Sequence, residues 1–320
     1  MIGYHCSHEQ FAPSKLLALV QQAEKAGFGS AMSSEHIAPW IEDQGHSGFA
    51  MSWLGAALQA TSLPFGSLAI PGGWRYHPLV VAHAFATLAE MFPKRMKWIA
   101  VGSGEALNEH MVSTDWPDKP TRNKRMKEAV DMIRALWRGD CVTTDGEIKT
   151  HKARLWSLPD TPPKIYGAAL SEETAEWMGS WADGLITVHK KPEQVQKIID
   201  AFHRGGGKGK PMALQIHLSW DETDEKARYN AWHQWRGNIL GPEACAEFML
   251  PEHFDAASIS IKPEDMDDHI LISSVPARHI EWIKEFQGLG FDDLFLHNTG
   301  RNQNEFIEVF GRDVLPQLRS

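Results

Sequence analysis

Short apolar segments alternate with longer amphipathic segments along most of this chain. Residues 2–6 form an apolar segment of strand length, and the apolar positions between residues 16 and 26 then recur at helical spacing until Gly27. A spacing near 3.6 residues is typical of a helix, whereas a short apolar segment between turn signals is typical of a buried strand. Glycine favours the end of a helix. The first 27 residues therefore predict one strand followed by one helix.

The same pair of strand and helix returns through most of the chain. Further strands are predicted at residues 30–33, 65–70, 97–101, 164–168, 184–188, 212–219 and 293–297, and further helices at residues 49–60, 78–91, 122–137, 171–181, 192–203, 279–286 and 306–315. Apolar strands that alternate with amphipathic helices predict a parallel sheet with helices outside it. About eight such units make a (β/α)8 TIM barrel, and we expect residues 1–320 to form one α/β domain of this kind with insertions.

Two segments interrupt this alternation. Residues 141–144 and 147–150 are extended and flank Asp145-Gly146, a dipeptide that favours a two-residue hairpin turn. We therefore predict a hairpin excursion at about residues 141–156. Residues from about 221 to 272 are helical in composition but poorly periodic, so we predict a helical insertion before the last unit.

Composition and charge exclude several classes of protein. The chain has 320 residues with 41 acidic and 32 basic side chains, and its formal charge of -9 opposes binding to nucleic acid. Its three cysteines, Cys6, Cys141 and Cys245, lie far apart and lack metal-binding spacing. Residues 1–8 lack the features of a signal peptide, and no apolar run is long enough to span a membrane. We expect a cytoplasmic protein without nucleic-acid or membrane partners.

Polar side chains follow the predicted strands, at the end of the barrel where active sites lie. His36 and Trp40 follow the second strand, and Glu105 follows the fourth. An imidazole, a flat aromatic ring and a carboxylate together can hold and protonate a planar redox ring. A loop histidine that bonds the local backbone, and a first-turn carboxylate that caps a helix, explain these positions equally well.

Glycines and hydroxyls at the same end indicate where a ligand could come close. Gly102-Ser-Gly104 would let the backbone approach a ligand, although a tight turn explains the two glycines as well. Ser171 and Thr174 begin a predicted helix, so Ser171 is a helix cap at an end that also favours a phosphate. The remaining candidates, which would contact a substrate after the sixth and eighth strands, are Lys191, His297 and Arg301.

A metal site is the main alternative to a bound redox ring. His5, His8, His36 and His297 could converge at one barrel mouth, and imidazole is a common zinc ligand. Against this, His5 and His8 are three residues apart and would face opposite sides of a continued strand. We therefore predict no metal, and keep a metal-dependent barrel hydrolase as an alternative.

Three motifs resemble those of one known superfamily. The segments Ser34-Glu-His-Ile-Ala-Pro-Trp40, Pro71 to Pro78 and Val101-Gly-Ser-Gly-Glu-Ala-Leu-Asn108 are similar to motifs of the luciferase-like flavin-dependent oxidoreductases. The similarity extends over nearly the whole chain. The branch that it most resembles contains the glucose-6-phosphate dehydrogenases that use the deazaflavin coenzyme F-420. Within that branch it resembles a subfamily that uses FMN.

The resemblance implies a (β/α)8 barrel with a flavin at its mouth, and it assigns roles by position. His36 and Glu105 match residues beside the reacting hydroxyl, Trp40 stacks nearby and Asn108 supports the loop. The relatives hold a substrate phosphate with two lysines and an arginine. Here only Lys191 matches one of these residues, and the region near His269 offers no matching arginine, so the resemblance does not imply glucose-6-phosphate as the substrate.

The resemblance also assigns the cofactor contacts. Residues 66–68, which include Ser67 and Leu68, match a segment with a bulge and a non-prolyl cis peptide against the flavin ring. Gly104 belongs to the glycine turn that approaches the ring. Ser171 and Thr174 match a pair of hydroxyls that hold the FMN phosphate.

Taken with the resemblance, these residues predict a flavin-dependent oxidoreductase that transfers a hydride between flavin N5 and a small organic substrate. FMN is the preferred cofactor and coenzyme F-420 the second. Alternatives are an FMN monooxygenase that uses O2 with reduced flavin, a deazaflavin-dependent sugar-phosphate or alcohol dehydrogenase, and a barrel that binds flavin without catalysis. The expected partners are a small-molecule substrate, a flavin reductase or reduced-nicotinamide donor, and a second copy of the chain in a homodimer.

Overall fold

The computed structural model describes residues 1–112 and 116–318 and contains a closed barrel of parallel strands. Its strands are β1 (Ile2–Cys6), β2 (Ser30–Ser33), β3 (Phe65–Ala69), β4 (Met96–Val101), β5 (Val142–Asp145), β6 (Lys149–Ala153), β7 (Lys164–Ala168), β8 (Gly184–Val188), β9 (Met212–Ser219), β10 (Leu271–Ile272) and β11 (Asp293–Asn298). Eight of them follow the parallel order β1-β2-β3-β4-β7-β8-β9-β11, and β11 pairs with β1 to close the ring. The predicted (β/α)8 barrel is therefore confirmed.

Helices surround the barrel and connect its strands. Within the described residues they are α1 (Pro13–Ala26), α2 (Ala50–Ala60), α3 (Pro78–Met91), α4 (Ala106–Glu109), α5 (Lys119–Trp137), α6 (Glu172–Gly179), α7 (Pro192–Phe202), α8 (Asp224–Trp235), α9 (Pro242–Glu247), α10 (Pro251–Ala257), α11 (Pro276–Gly288) and α12 (Gln303–Val309). Several begin with a proline, whose fixed φ suits a first helical turn. In the described part of the chain, no helix combines the length and apolar character needed to cross a membrane.

Large aromatic side chains fill the inside of the barrel. Trp98 and Tyr166 stack with their ring centroids 5.1 Å apart, and Phe295 packs edge-on against Trp98 at 5.7 Å. Gly66 faces this cluster, and a Cβ atom there would lie 2.0 Å from the Trp98 ring. The interior is therefore a packed floor, and a ligand would have to enter above it at the carboxyl ends of the strands.

The hairpin excursion is present, but its turn differs from the prediction. Strands β5 and β6 pair antiparallel with Thr144 opposite Thr150, and residues 146–148 connect them. Ile148 is 4% exposed and packs against Gly73, in the loop after β3. The burial of Ile148 draws it out of the second strand, so the predicted two-residue Asp-Gly turn is wrong.

The helical insertion is also present, between β9 and α11. It contains α8, α9 and α10, and it ends in the short strand β10, which the sequence did not predict. Helix α8 packs on β9, and α9 packs on α4. The insertion therefore lies over the carboxyl ends of the strands.

The segment at residues 66–68 differs from the expectation in one respect. The pairing of β3 with β4 shifts its register between Phe65 and Gly66, next to the place where a bulge was expected. The described residues contain no cis peptide bond, so the expected cis peptide is not found. The bonds of this segment have the trans form, which is much lower in energy for residues other than proline.

Candidate active site

The barrel mouth is lined by side chains that point inward from the ends of the strands. Leu214 and Ile216 of β9 pack outward into the main core. Because side chains alternate along a strand, residues 213, 215 and 217 point into the barrel. Five inward side chains are partly exposed although their strands are buried: Leu68, Ala168, Val188, Gln215 and His217. An opening therefore exists above the aromatic floor.

A carboxylate, an imidazole and a second carboxylate stand in a row at the rim of this opening. His36 Nδ1 lies 2.8 Å from Glu9 Oε1, and His36 Nε2 lies 3.4 Å from Glu105 Oε2. His36 and Glu9 form a close ion pair. The other oxygen of Glu9 accepts hydrogen bonds from the hydroxyls of Ser7 and Ser34 at 2.8 and 3.0 Å. We call Glu9, His36 and Glu105 the acid–base row.

The two carboxyl groups keep His36 protonated. Burial acts to lower the pKa of His36, but the Glu9 charge and the contact with Glu105 outweigh it and raise this pKa from 6.5 to about 10. Burial acts to raise the pKa of Glu9, and the His36 charge outweighs it and lowers that pKa. The raised pKa of His36 stabilises the fold fully below pH 6.5, and this stabilisation is lost as the pH rises through about 10. At neutral pH an imidazolium therefore stands beside Glu105, whose side chain is 33% exposed.

An apolar cover lies over the acid–base row. The ring of Trp40 packs edge-on against His36 at 5.2 Å and against Phe254 of α10 at 5.4 Å. Cys245 of α9 packs against the same cluster. Burial and the Glu105 charge raise the pKa of Cys245 to about 12, so a neutral thiol borders the site.

The loop after β4 fixes the position of Glu105. Glu105 is the residue that precedes α4, and Asn108 Nδ2 donates a hydrogen bond to Glu105 Oε2 at 3.1 Å. Asn108 Oδ1 accepts from the backbone N–H of Ile37 at 2.9 Å, so one buried side chain joins the loops after β2 and β4. Gly104 has a φ of 89°, which glycine adopts readily, and a Cβ atom there would lie 3.1 Å from Trp116.

A buried arginine joins the same two loops on another side. Arg75 donates to both oxygens of Glu35 at 2.9 and 2.7 Å and lies 3.4 Å from Glu109, whose other oxygen accepts from the Arg75 backbone at 2.9 Å. The three side chains are only 4%, 1% and 1% exposed. Glu35 precedes His36 in the chain, and Glu109 lies one turn after Glu105. We call Glu35, Arg75 and Glu109 the arginine clamp.

The predicted phosphate contacts lie at the exposed start of α6. Ser171 Oγ accepts from the backbone N–H of Thr174 at 3.3 Å and donates to Thr174 Oγ1 at 3.0 Å, so Ser171 caps this helix. Lys119 Nζ donates to the same Thr174 oxygen at 3.3 Å. Two hydroxyls beside an ammonium group suit a phosphate, and this role stays a prediction.

On β3, only one of the two predicted cofactor contacts turns its side chain into the barrel. Leu68 packs against the inner aromatic cluster. Ser67 is 1% exposed, its hydroxyl donates to the carbonyl oxygen of Leu68 at 3.0 Å, and its neighbours on the same side, Phe65 and Ala69, pack in the main core. Ser67 can therefore offer a bound ring its backbone but not its hydroxyl.

The three predicted substrate contacts lie in different surroundings. Lys191 is exposed at the start of α7 and has no hydrogen-bond or ion-pair partner for its side chain in the described residues. Arg301 donates to the carbonyl oxygens of residues 43 and 44 at 2.6 and 2.8 Å and so holds a loop. His297 is 1% exposed, and its Nε2 lies 2.9 Å from Gln10 Oε1. Within residues 1–112 and 116–318, none of the three contacts the acid–base row.

The histidines of the metal alternative do not form a metal site. The described residues hold no group of three or more His, Cys, Asp or Glu side chains arranged to bind a metal ion. His8 lies 3.0 Å from Ser33 and packs edge-on against Trp53, whereas His5 packs against His297 at 4.4 Å. The geometry of the described chain therefore gives a metal-dependent hydrolase no support.

Substitution of Glu9 by glutamine is expected to move the alkaline limb of the pH profile of kcat toward neutral pH. The Glu9 charge raises the pKa of His36, so its removal should lower that pKa, by about 1–3 pH units. The protonated imidazole then disappears at a lower pH, and kcat falls with it. Glu90→Gln, on the exposed side of α3, is the control and should leave the profile unchanged. An unmoved alkaline limb in Glu9→Gln would contradict this coupling.

Comparisons with known proteins agree with the fold and place the chain in a family. A family model described as luciferase-like monooxygenase matches residues 2–293. The chain is 34% identical to an F420-dependent glucose-6-phosphate dehydrogenase of Nakamurella multipartita, over 99% of this chain and 96% of that protein. It is 33% identical to an enzyme of the same name from Microbacterium testaceum, over 99% and 97%. The chain therefore belongs to the luciferase-like monooxygenase family and is an oxidoreductase.

Solved structures contain the same barrel. An F420-dependent secondary alcohol dehydrogenase in complex with an F420-acetone adduct has a TM-score of 0.91 at 30% identity, covering 100% of this chain and 99% of that one. A coenzyme F420-dependent tetrahydromethanopterin reductase from Methanopyrus kandleri has a TM-score of 0.78 at 19% identity, covering 99% of each chain, and shows the fold alone. The two glucose-6-phosphate dehydrogenases and the secondary alcohol dehydrogenase are all named for F420, so the preference for FMN is not supported.

Several residues of this site were not among the candidates predicted from the sequence. Glu9 lies three residues after the end of β1, in the same kind of position that pointed to His36 and Glu105 after their strands, so its position was a usable signal. Arg75 lies in one of the three motifs that carried the resemblance, but nothing in the motif showed that its side chain is buried between two carboxylates. Gln215 lies inside a strand, where a polar side chain that points inward was itself a signal.

Proposed function

We propose that this oxidoreductase uses the deazaflavin coenzyme F-420 and oxidises the hydroxyl group of a small uncharged alcohol. The observation that carries the proposal is the acid–base row beneath an apolar cover, at the mouth of a barrel shared with F420-dependent relatives.

The described residues fit a deazaflavin at both of its ends. Nδ1 of His5 and Nδ1 of His297 are buried in the mouth without a hydrogen-bond partner, which suits a ring with polar heteroatoms. The hydroxyls of Ser171 and Thr174 with the ammonium group of Lys119 suit the phosphate of the coenzyme tail. When bound, a deazaflavin supplies hydride transfer, the chemistry that no amino-acid side chain provides.

The acid–base row would handle the proton that leaves the alcohol. The partly exposed carboxylate of Glu105 can accept this proton, and the imidazolium of His36 beside it stabilises negative charge on the alcohol oxygen. Glu9 keeps the imidazole charged and oriented, because its own position is fixed by two serine hydroxyls. The apolar cover around Trp40 excludes water, which strengthens these interactions.

The charges around the acid–base row favour an uncharged substrate. Proteins recognise a phosphate with arginine and lysine side chains that are free to donate. Arg75 is occupied by the arginine clamp, Arg122 lies 3.1 Å from Glu247, and Arg301 donates to backbone carbonyls. Of the predicted substrate contacts, Lys191 alone is a cation whose side chain has no partner in the described residues, and it is exposed at the start of α7. A sugar phosphate would add negative charge beside two carboxyl groups. We therefore propose a neutral alcohol, although two relatives are named for glucose-6-phosphate.

Binding and turnover measurements test this proposal. We expect coenzyme F-420 to quench the tryptophan fluorescence of the purified protein and to bind roughly tenfold tighter than FMN or better, a difference of about 1.4 kcal/mol. The visible absorbance of the oxidised coenzyme should then fall with secondary alcohols such as isopropanol and not with glucose-6-phosphate. If the protein binds FMN and not coenzyme F-420, the proposed cofactor is wrong. If it oxidises glucose-6-phosphate and none of the neutral alcohols, the proposed substrate class is wrong.

The other partners expected from the sequence stay predictions. A second copy of the chain in a homodimer can be tested by light scattering of the purified protein. A flavin reductase or reduced-nicotinamide donor becomes necessary only if FMN is the cofactor, because an alcohol would itself reduce the deazaflavin. A cytoplasmic location likewise stays a prediction.

A further inference from the structure

A cluster of imidazoles lines the mouth at the neighbouring strands β9, β11 and β1. The ring centroids of His5 and His297 are 4.4 Å apart, and those of His297 and His217 are 5.4 Å apart. Trp235 of α8 closes the cluster, 4.6 Å from His297 and 5.1 Å from His217. Strand β9 lies four strands from β3 in either direction around the ring. We call His5, Gln215, His217 and His297 the imidazole wall.

Several polar atoms of the imidazole wall lack a partner in the described residues. His5 is 4% exposed and makes no hydrogen bond there with either ring nitrogen, and Nδ1 of His297 is also without a partner. Gln215 and His217 are partly exposed into the mouth, and the Gln215 amide nitrogen lies 3.0 Å from His217 Nε2. Buried polar groups without partners are unfavourable, so a ligand that pairs with them gains affinity.

The imidazole wall is uncharged at physiological pH. Burial lowers the pKa of His5 to about 4 and lowers the pKa of His217 and of His297 as well, and repulsion among the imidazoles adds to the effect. A neutral imidazole offers one donor and one acceptor, and the carboxamide of Gln215 offers both. Such a surface suits the edge of a ring that carries carbonyl acceptors and an N–H or O–H donor. It does not suit a phosphate, which requires cations.

We propose that the imidazole wall is a subsite for the buried polar edge of a flavin-type ring. A planar ring that spans the mouth would meet the apolar side chain of Leu68 at β3 and hydrogen-bonding groups of Gln215 and His217 at β9. The imidazole wall therefore determines the orientation in which the ring binds in the mouth. This inference rests on the proposed function, because it requires a flavin-type ring in the mouth.

The test compares coenzyme F-420 with the deazariboflavin chromophore that lacks its phosphate tail, without any alcohol present. Dissociation constants are measured by fluorescence quenching for the wild type, His217→Phe, His5→Phe and Gln215→Leu. His279→Phe is the matched control, because His279 is 0% exposed and its pKa is lowered to about 4, but its Nε2 lies 2.9 Å from the Ser273 carbonyl oxygen, outside the mouth. Gln215 and His217 are partly exposed, so their variants remain informative if His5→Phe does not fold.

We expect each wall variant to weaken the binding of both ligands by roughly 2- to 10-fold, the effect of one lost hydrogen bond, and His279→Phe to change neither. His217→Gln should recover part of the affinity, because glutamine keeps a donor and an acceptor. Ser171→Ala should weaken the binding of the coenzyme and leave the binding of the tail-less chromophore unchanged, because Ser171 belongs to the proposed phosphate site.

Two results would overturn the subsite while leaving the proposed function intact. The first is wild-type affinity of all wall variants for the tail-less chromophore. The second is an unchanged chromophore affinity together with a raised KM for the alcohol, which would assign the imidazole wall to the substrate. A wild-type protein that binds neither ring would overturn the proposed function itself, and the subsite with it.

Discussion

Substitution of His36 by asparagine is expected to lower kcat by about 10²–10⁴-fold, the usual contribution of a positioned acid or base. The imidazolium stands between Glu9 and Glu105, and in the proposed reaction it is the cation that stabilises charge on the alcohol oxygen. Asparagine keeps a polar side chain of similar reach but carries no charge and cannot pass a proton. The measurement is the steady-state rate of coenzyme reduction at saturating isopropanol.

Two controls separate a chemical role of His36 from a structural one. The dissociation constant of coenzyme F-420 should stay within about twofold of the wild type, since no contact of His36 is proposed to hold the ring. His83→Asn makes the same change on the exposed side of α3 and should leave kcat unaltered. A His36→Asn enzyme with wild-type kcat would exclude the acid–base row from the chemistry.

Substitution of Arg75 by methionine is expected to lower the free energy of unfolding by about 3–5 kcal/mol, because it leaves two carboxyl groups buried without their cation. Glu35 and Glu109 are each 1% exposed, so neither can turn to water without movement of its loop. Urea denaturation followed by tryptophan fluorescence measures this loss. Arg75→Lys should lower the free energy of unfolding by a smaller amount, because lysine keeps the positive charge although it cannot make the bidentate contact.

The chain contains a matched pair at its surface. Arg228 also makes two contacts with one carboxylate, that of Asp267, at 2.9 and 3.1 Å, but the two side chains are 28% and 49% exposed. Arg228→Met should therefore lose no more than about 1 kcal/mol. Burial raises the pKa of Glu109, so Glu109→Gln should be tolerated better than Arg75→Met. Equal losses in Arg75→Met and Arg228→Met would contradict the stabilising role of the arginine clamp.

The barrel could be predicted because the signals for its strands are local. Strands Lys164–Ala168 and Gly184–Val188 have the predicted ends, since apolar side chains mark a strand that is buried on both faces. The hairpin turn could not be predicted, because Ile148 leaves its strand to pack against Gly73, far away in the sequence. The short strand β10 could not be predicted either, because its two residues adopt strand geometry only by pairing with β9, which is distant in the sequence.

The same distinction applies to the candidate site. His36, Trp40 and Glu105 follow strands, and the barrel brings all such positions together, so their proximity could be predicted. The hydrogen bond from Arg75 to Glu35 joins residues that are 40 positions apart, and no periodic pattern in the sequence predicts it. Arg301 also follows a strand, yet its guanidinium reaches carbonyls 257 and 258 residues away. A polar residue in this position can hold a loop as well as a ligand.

The arginine clamp makes the sequences of the loops after β2, β3 and β4 depend on one another. Arg75 of the middle loop is shared by a carboxylate from each of the other two. A chimera whose loop after β3 lacks this arginine would leave Glu35 and Glu109 without their cation. Exchange of that loop should therefore be tolerated best when the donor also has an arginine at position 75, or when all three loops come from the same donor. The insertion that carries α8 to α10 lies outside this constraint. We expect laboratory recombination to alter substrate range more readily by exchange of that insertion than by exchange of single loops.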